Sequence, residues 1–234
     1  MAKRPRGIAE RAFVWTGGGL FVFALACTAW WYWRALGRTT IAAEDRTARL
    51  AFDVWLFSIF AVHHSVFART GIKSWVARVV PERLMRSVYV WIASLLLIAL
   101  CGLWRPLGGV LYRAPRAIAL VLTAVQLAGA FVTWRAVRAI DALELAGIRE
   151  SIASDALQNT GPYRLVRHPI YLGWMLIVFC SATLTVDRLA FATISSGYLI
   201  LAIPWEERAL EAVFGDAYAR YKRSVPWRVI PYVY

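Results

Sequence analysis

The sequence predicts an all-α, polytopic integral membrane bundle, and three observations predict it. Apolar residues fill 60% of the 234 positions, and 12 of them are tryptophan, more than a soluble domain of this length carries. They gather into six runs, roughly 13–33, 50–68, 87–104, 116–134, 170–186 and 189–205. Stretches of this length suit a hydrocarbon core of roughly 30 Å. The net charge is +13, and the basic residues are spread through every segment between the runs. That distribution fits anchoring at anionic headgroups and argues against a nucleic-acid partner.

The opening "MAKRPRGIAER" is basic and precedes an apolar run, as a signal peptide would. The run from Phe13 to Trp33 is too long for a signal h-region, and "WWYW" at 30–33 reads as an aromatic belt closing a span. The same belt argues against lipoprotein cleavage at "ALAC", 24–27. We read a retained first helix. Cys27, Cys101 and Cys180 each lie inside an apolar run with no CxxC or Cys/His cluster. Buried thiols are expected, with no disulfide and no metal site.

Runs five and six are the shortest and are separated only by Asp187 and Arg188. They form a tight helical hairpin if both cross; the alternative is five spans with a half-inserted pair. With the N-terminus in the cytoplasm and six alternating helices, 19 of the 27 Lys and Arg residues fall inside and 8 outside. This obeys the positive-inside rule and predicts an inner bacterial membrane with both termini cytoplasmic. No internal repeat is present, and residues 1–234 read as one membrane domain with 161–234 as its ligand-binding part. The polar connection 138–168 contains "DALELAGIRE", an interfacial helix by its spacing, followed by a loop, "SIASDALQNTG". In the tail 206–221, Leu210, Val213, Phe214 and Tyr218 share one helical face. "VPWRVIPYVY" closes the chain as an extended segment bounded by prolines.

The chemistry concentrates in "GPYRLVRHPIYLGW", 161–174. Pro169 opens the fifth helix, where its missing N–H costs nothing. The amides of Ile170 to Leu172 are then expected to be free at the positive end of the helix dipole, a setting for carboxylate or phosphate. Arg164 and Arg167 add cationic donors. If run six returns, "PWEER" (204–208) brings Glu206 and Glu207 beside Arg167, His168 and Tyr171. Adjacent helical residues diverge by about 100°, so one glutamate faces the pocket while the other pairs with an arginine. Such a site suits a ligand carrying both a carboxylate and an ammonium.

This stretch, the acidic pair about forty residues on, and "FGDAYARYKRSVPWRVIP" together resemble the C-terminal signature of the membrane S-adenosylmethionine-dependent methyltransferases. These are the isoprenylcysteine carboxyl methyltransferase and phospholipid methyltransferase superfamily, and the match covers about 161–231. The resemblance implies S-adenosylmethionine as cofactor, held by Tyr163, Arg167, His168, Pro169, Tyr171, Leu172, Gly173, Glu206 and Glu207. Arg167 and the helix N-terminus suit its carboxylate, and a glutamate its ammonium or ribose hydroxyls. Tyr163, Tyr171 or Trp174 suits its sulfonium through cation–π attraction. Gly173 permits close approach of cofactor or of a neighbouring helix.

"FAVHHSVFARTGIKSW" (60–75) and "VPERLMRSVYVWIASLLL" (80–97) resemble the methanethiol S-methyltransferase branch. Met85 departs from that pattern, standing where an acidic residue is expected before the Arg-Ser pair. The branch implies methyl transfer to a small thiol, methanethiol giving dimethyl sulfide. A thiol reacts as thiolate, and a cation lowers its pKa. The catalytic candidates are Arg167, His63, His64 and Arg69, with Ser65 bordering the same site. A haem-ligand role is disfavoured, because adjacent histidines point apart. Two other readings stand beside this one. The first is a lipid-borne acceptor, an isoprenylcysteine carboxylate or a phospholipid amine, although "LILAIPW" before Glu206 lacks an arginine for a carboxylate. The second is a non-enzymatic transporter or assembly factor. The expected partners are the methyl acceptor and membrane lipids.

Overall fold

The computed structural model describes residues 7–66, 76–140, 143, 146–148 and 157–234. Seven helices lie among them: α1 Ile8–Arg34, α2 Arg46–Val66, α3 Glu82–Leu103, α4 Arg116–Arg138, α5 Pro169–Phe179, α6 Val186–Phe214 and α7 Asp216–Ser224. Two short strands, β1 Val110–Arg113 and β2 Thr183–Thr185, complete the regular structure with a 3-10 turn at Gly161–Arg164. The all-α membrane class holds: α1, α3, α4 and α6 are each long and apolar enough to cross a bilayer. Most of the expected interfacial helix, along with Arg69, lies outside the described residues.

The chain divides into two compact units, one of 1–33, 53–104 and 141–153, the other of 34–52, 105–140 and 154–234. In the first, α1 and α3 pack in parallel. Arg83 Nε donates to Glu10 at 3.0 Å, Trp91 Nε1 to the Phe13 carbonyl at 3.0 Å, and Trp31 meets Trp104 edge-on. Parallel neighbours need a returning segment between them, which α2 supplies. At its end His63 stacks on Tyr89 near the start of α3.

In the second unit α4 and α5 are antiparallel and very close. A Cβ on Gly173 would stand 2.6 Å from the Gly129 carbonyl and 2.2 Å from Thr133 Oγ1. Gln126 Nε2 donates to the Ile177 carbonyl at 2.7 Å further along. Gly173 therefore admits a neighbouring helix.

The end of the fifth run differs from the sequence expectation. α5 has 11 residues, ending at Phe179, about 16 Å of rise, too short to cross, whereas α6 is long enough; the two are neither a crossing pair nor a half-inserted pair. Residues 183–185 instead form β2, antiparallel to β1 with Tyr112 opposite Leu184 and Arg113 opposite Thr183. Hydroxyl-bearing Ser181, Thr183 and Thr185 compete with a helical backbone, and Thr185 caps α6 by accepting from the Arg188 amide at 3.1 Å. α6 then runs 29 residues, through Pro204, so 206–214 continue the span. The chain breaks at Gly215, whose φ of 49° an L side chain rarely adopts. Along this segment Leu210 and Phe214 pack against Tyr163, Tyr218, Tyr221 and Ala136. Val213 does not share their face: it is 67% exposed.

Candidate functional site

The site is assembled where α5 begins, the second half of α6 passes and the tail returns, all inside the second unit. Antiparallel α5 and α6 bring the basic and acidic motifs together. Arg167 Nε donates to Glu207 Oε1 at 2.7 Å. His168 lies between the two carboxylates, Nδ1 3.5 Å from Glu206 Oε2 and Nε2 3.4 Å from Glu207 Oε1. The Tyr171 hydroxyl donates to Glu206 Oε1, and the Tyr171 ring stacks on His168 at 5.3 Å. The glutamates divide as helix geometry requires. Glu207 is 8% exposed and buried in ion pairs, whereas Glu206 is 42% exposed.

The expected free amides are mostly spent. The Tyr171 and Leu172 N–H groups turn back onto the His168 carbonyl, at 3.0 and 3.2 Å. The motif's own amides are engaged as well: Arg167 N–H donates to the Trp227 carbonyl at 2.9 Å and His168 N–H to that of Arg228 at 2.8 Å. Backbone N–H groups seek partners wherever they are buried, and the proline-bounded tail supplies carbonyls. Arg167 Nη1 also donates to the Val225 and Pro226 carbonyls, each at 2.8 Å.

The other residues named from sequence occupy distinct places. Pro169 is the buried first residue of α5, and Leu172 and Gly173 follow within it. The Tyr163 ring sits in the cluster with Tyr218, Tyr221, Ala136 and Val225, and its carbonyl accepts from the Tyr221 hydroxyl at 2.7 Å. Trp174 Nε1 donates to Ser195 Oγ at 3.0 Å. His63 and His64 lie in the first unit with Tyr89, whose hydroxyl hydrogen-bonds His64 Nδ1.

Sequence reasoning missed two participants. Arg228 Nε lies 3.5 Å from Glu207 Oε2. Tyr218 is almost wholly buried, and its hydroxyl has no hydrogen-bond partner among the described residues. The prolines of "VPWRVIP" were the available signal for Arg228, since an extended segment with free carbonyls can lie along the motif. Nothing marked the Tyr218 hydroxyl.

Charge shapes the site further. Burial is the largest influence on His168 and would lower its pKa. The hydrogen bonds and charges of Glu206 and Glu207 outweigh it, so His168 holds its proton above the usual 6.5. Burial pushes Tyr221 up to about 12. It also raises Tyr218, with the Glu207 charge adding to it. These phenols stay neutral at physiological pH. Arg167, Arg228 and His168 gather around two carboxylates, one of them half exposed. Such a cluster offers complementary groups to both ends of a zwitterion.

Comparison with known proteins gives a consistent set. The chain is 34% identical to methanethiol S-methyltransferase 2 of Bradyrhizobium diazoefficiens, over 76% of this chain and 71% of that protein. It is 36% identical to the methanethiol S-methyltransferase of Mycobacterium tuberculosis, over 74% and 76%. Nurim of Rattus norvegicus is 29% identical over 69% and 68%. No family model matches the chain, and no solved structure matches it.

Proposed function

The chain belongs to the methanethiol S-methyltransferase family, and from that premise we propose that this integral membrane methyltransferase takes S-adenosylmethionine as donor and methanethiol as acceptor. The meeting of Arg167 and His168 with Glu206 and Glu207 carries the donor assignment. The donor set fits the group. Glu206 is a half-exposed carboxylate, chemically suited to an ammonium or ribose hydroxyls. His168 Nε2 is buried 3.4 Å from Glu207 Oε1 without completing a hydrogen bond, and the two arginines beside it are cations suited to a carboxylate.

Bound there, S-adenosylmethionine supplies an electrophilic methyl group; the protein supplies alignment and exclusion of water. Glu206 holds the ammonium or a ribose hydroxyl, and Tyr171 orients Glu206 through their hydrogen bond. Arg167 and Glu207 are the frame: buried and mutually paired, they fix the start of α5 against α6 and the tail. On the acceptor side the thiol must lose its proton. On chemical grounds we assign acceptance of that proton to a neutral His63 or His64, and stabilisation of the thiolate left behind to Arg69. The basic-residue distribution supports an inner-membrane location with both termini cytoplasmic.

The test is labelled methyl transfer by the purified protein in nanodiscs, with headspace detection of dimethyl sulfide. Methanethiol should be methylated, prenylcysteines and phospholipid amines should not. Glu206→Gln should weaken donor binding at least tenfold. Absence of saturable S-adenosylmethionine binding sinks the donor assignment. Product from a lipid-borne acceptor alone sinks the acceptor.

A further inference from the structure

Two guanidinium groups touch Glu207 among the described residues, and they are not equivalent. A guanidinium has five N–H donors, and a carboxylate is held best along an edge that offers two of them. Arg167 has spent its Nε–H on Glu207 and both Nη1 hydrogens on the Val225 and Pro226 carbonyls. Either edge that could grip a carboxylate has therefore lost a member, and the side chain is 7% exposed. Its role is to tie α5, α6 and the tail together.

Arg228 is placed differently. Its backbone carbonyl accepts from the His168 amide at 2.8 Å, which fixes its origin against the motif. Its Nε stands 3.5 Å from Glu207 Oε2, an ion-pair distance, with the side chain 36% exposed. Nη1 donates once, to the Tyr234 hydroxyl at 3.0 Å, and the guanidinium carbon lies 5.1 Å from the Tyr234 ring centroid. One Nη1 hydrogen and both on Nη2 have no partner among the described residues. The group is thus aimed from two sides, and both terminal nitrogens keep a donor. Arg164, the other basic residue of the motif, is exposed in the 3-10 turn and makes no ion pair among the described residues.

We infer that Arg228, on the returning tail, is the cation that takes the carboxylate of the methyl donor, while Arg167 is a positioning residue. The inference rests on the S-adenosylmethionine reading. It narrows that reading by giving the two ends of the zwitterion to different elements: the ammonium or ribose to Glu206 on α6, the carboxylate to Arg228 on the tail. The Glu207 carboxylate between the two arginines then orients Arg228 through its Nε, so the donor carboxylate completes a chain of alternating charges.

The experiment compares two ligands that differ only in the carboxylate, S-adenosylmethionine and its decarboxylated form. Dissociation constants are measured by calorimetry on the full chain in nanodiscs. In the wild-type chain the carboxylated ligand should bind more tightly. Arg228→Gln should weaken it by about 10- to 100-fold and leave the decarboxylated ligand within about twofold, erasing the preference. Arg228→Lys should recover part of the loss, because it restores charge without the paired donors. It also serves as the second variant if the glutamine form does not fold. Arg167→Lys should lower the melting temperature and weaken both ligands alike. Equal losses for both ligands in the Arg228 variants would make Arg228 structural and overturn the inference, as would unchanged binding. Failure of the wild-type chain to bind either ligand would instead remove the donor reading itself.

Discussion

α6 carries charged pairs near both ends, and the two ends are built on opposite plans. At the first, Asp187 is 3% exposed and accepts from the Leu107 and Gly108 amides at 2.8 and 3.0 Å. Arg46 donates to the carbonyls of those same two residues. Arg188 Nη1 is held by Ser181 Oγ at 2.6 Å and the Thr183 carbonyl at 2.7 Å. Asp187 and Arg46 grip the loop before β1, Arg188 grips the segment entering β2, and the Asp187–Arg188 pair is closed to solvent. At the second end Glu206 is half exposed, and the Tyr218 hydroxyl and His168 Nε2 lack hydrogen-bond partners among the described residues. Composition does not separate "VDR" from "EER". What separates them is how fully the donors and acceptors are satisfied: a closed cluster holds the fold, and an open one leaves capacity for a ligand.

The sharpest way to break that contrast is to cut one carboxylate at each end. Asp187→Ala strands two buried amides and should cost about 3–5 kcal/mol, read as a large loss in detergent-resistant folding. Glu206→Gln keeps the shape of a partly solvated group and should cost less than about 1 kcal/mol, while losing donor binding. A stable Asp187→Ala protein, or an unfolded Glu206→Gln one, would reverse the roles of the two ends.

Next in size is the seam beneath the open end. Gly173→Ala places a methyl group 2.6 Å from a backbone carbonyl of α4, which must move. A cost of about 1–3 kcal/mol is expected in denaturant unfolding. Thr133 can rotate away; the Gly129 carbonyl cannot. If the alanine is tolerated, α5 is free to shift, and the site's geometry is not set by this contact.

Much of this was legible from residues. Apolar runs located the spans, because the bilayer accepts little else. Pro169 at a helix start and the acidic pair at the end of the next apolar run located the site, because antiparallel neighbours bring those stretches together. The stop of α5 at Phe179 was not legible. Hydropathy continues past it, and the strand that replaces it needs a partner seventy residues earlier at Tyr112. Nor was the continuation of α6 to Phe214, because a proline within the run reads as a boundary. The amides of Ile170 to Leu172 were assigned to a ligand because sequence shows only roughly where a helix begins; Tyr171 turns back on the cap residue at i−3, and Leu172 makes its ordinary i−4 bond to the same carbonyl. Arg228 escaped because the tail docks through backbone carbonyls, which carry no side-chain pattern.

A smaller effect separates the ends by pH. His168 is protonated more readily folded than unfolded, since the paired glutamates outweigh its burial. A raised pKa contributes stability that is fully present below the unfolded value of 6.5 and is lost as pH rises through the folded one. The melting temperature should therefore fall as pH is raised from 6.5, and His168→Asn should flatten that slope. A slope that survives in His168→Asn would move the titration elsewhere.

The smallest expected effect tests whether every open valence at the second end serves a ligand. The Tyr218 ring fills the core beside Tyr163 and Ala136, but its hydroxyl is sealed there with no partner among the described residues. An unsatisfied buried hydroxyl costs stability. Removing it in Tyr218→Phe should leave unfolding unchanged or raise stability by about 1 kcal/mol or less. Donor affinity should stay within about twofold. Glu206 and Arg228 differ from Tyr218 in being partly exposed, and exposure is what lets a ligand reach a polar group. A marked loss of donor affinity in Tyr218→Phe would mean that the tail opens on binding, so that the boundary between closed and open ends shifts with the ligand.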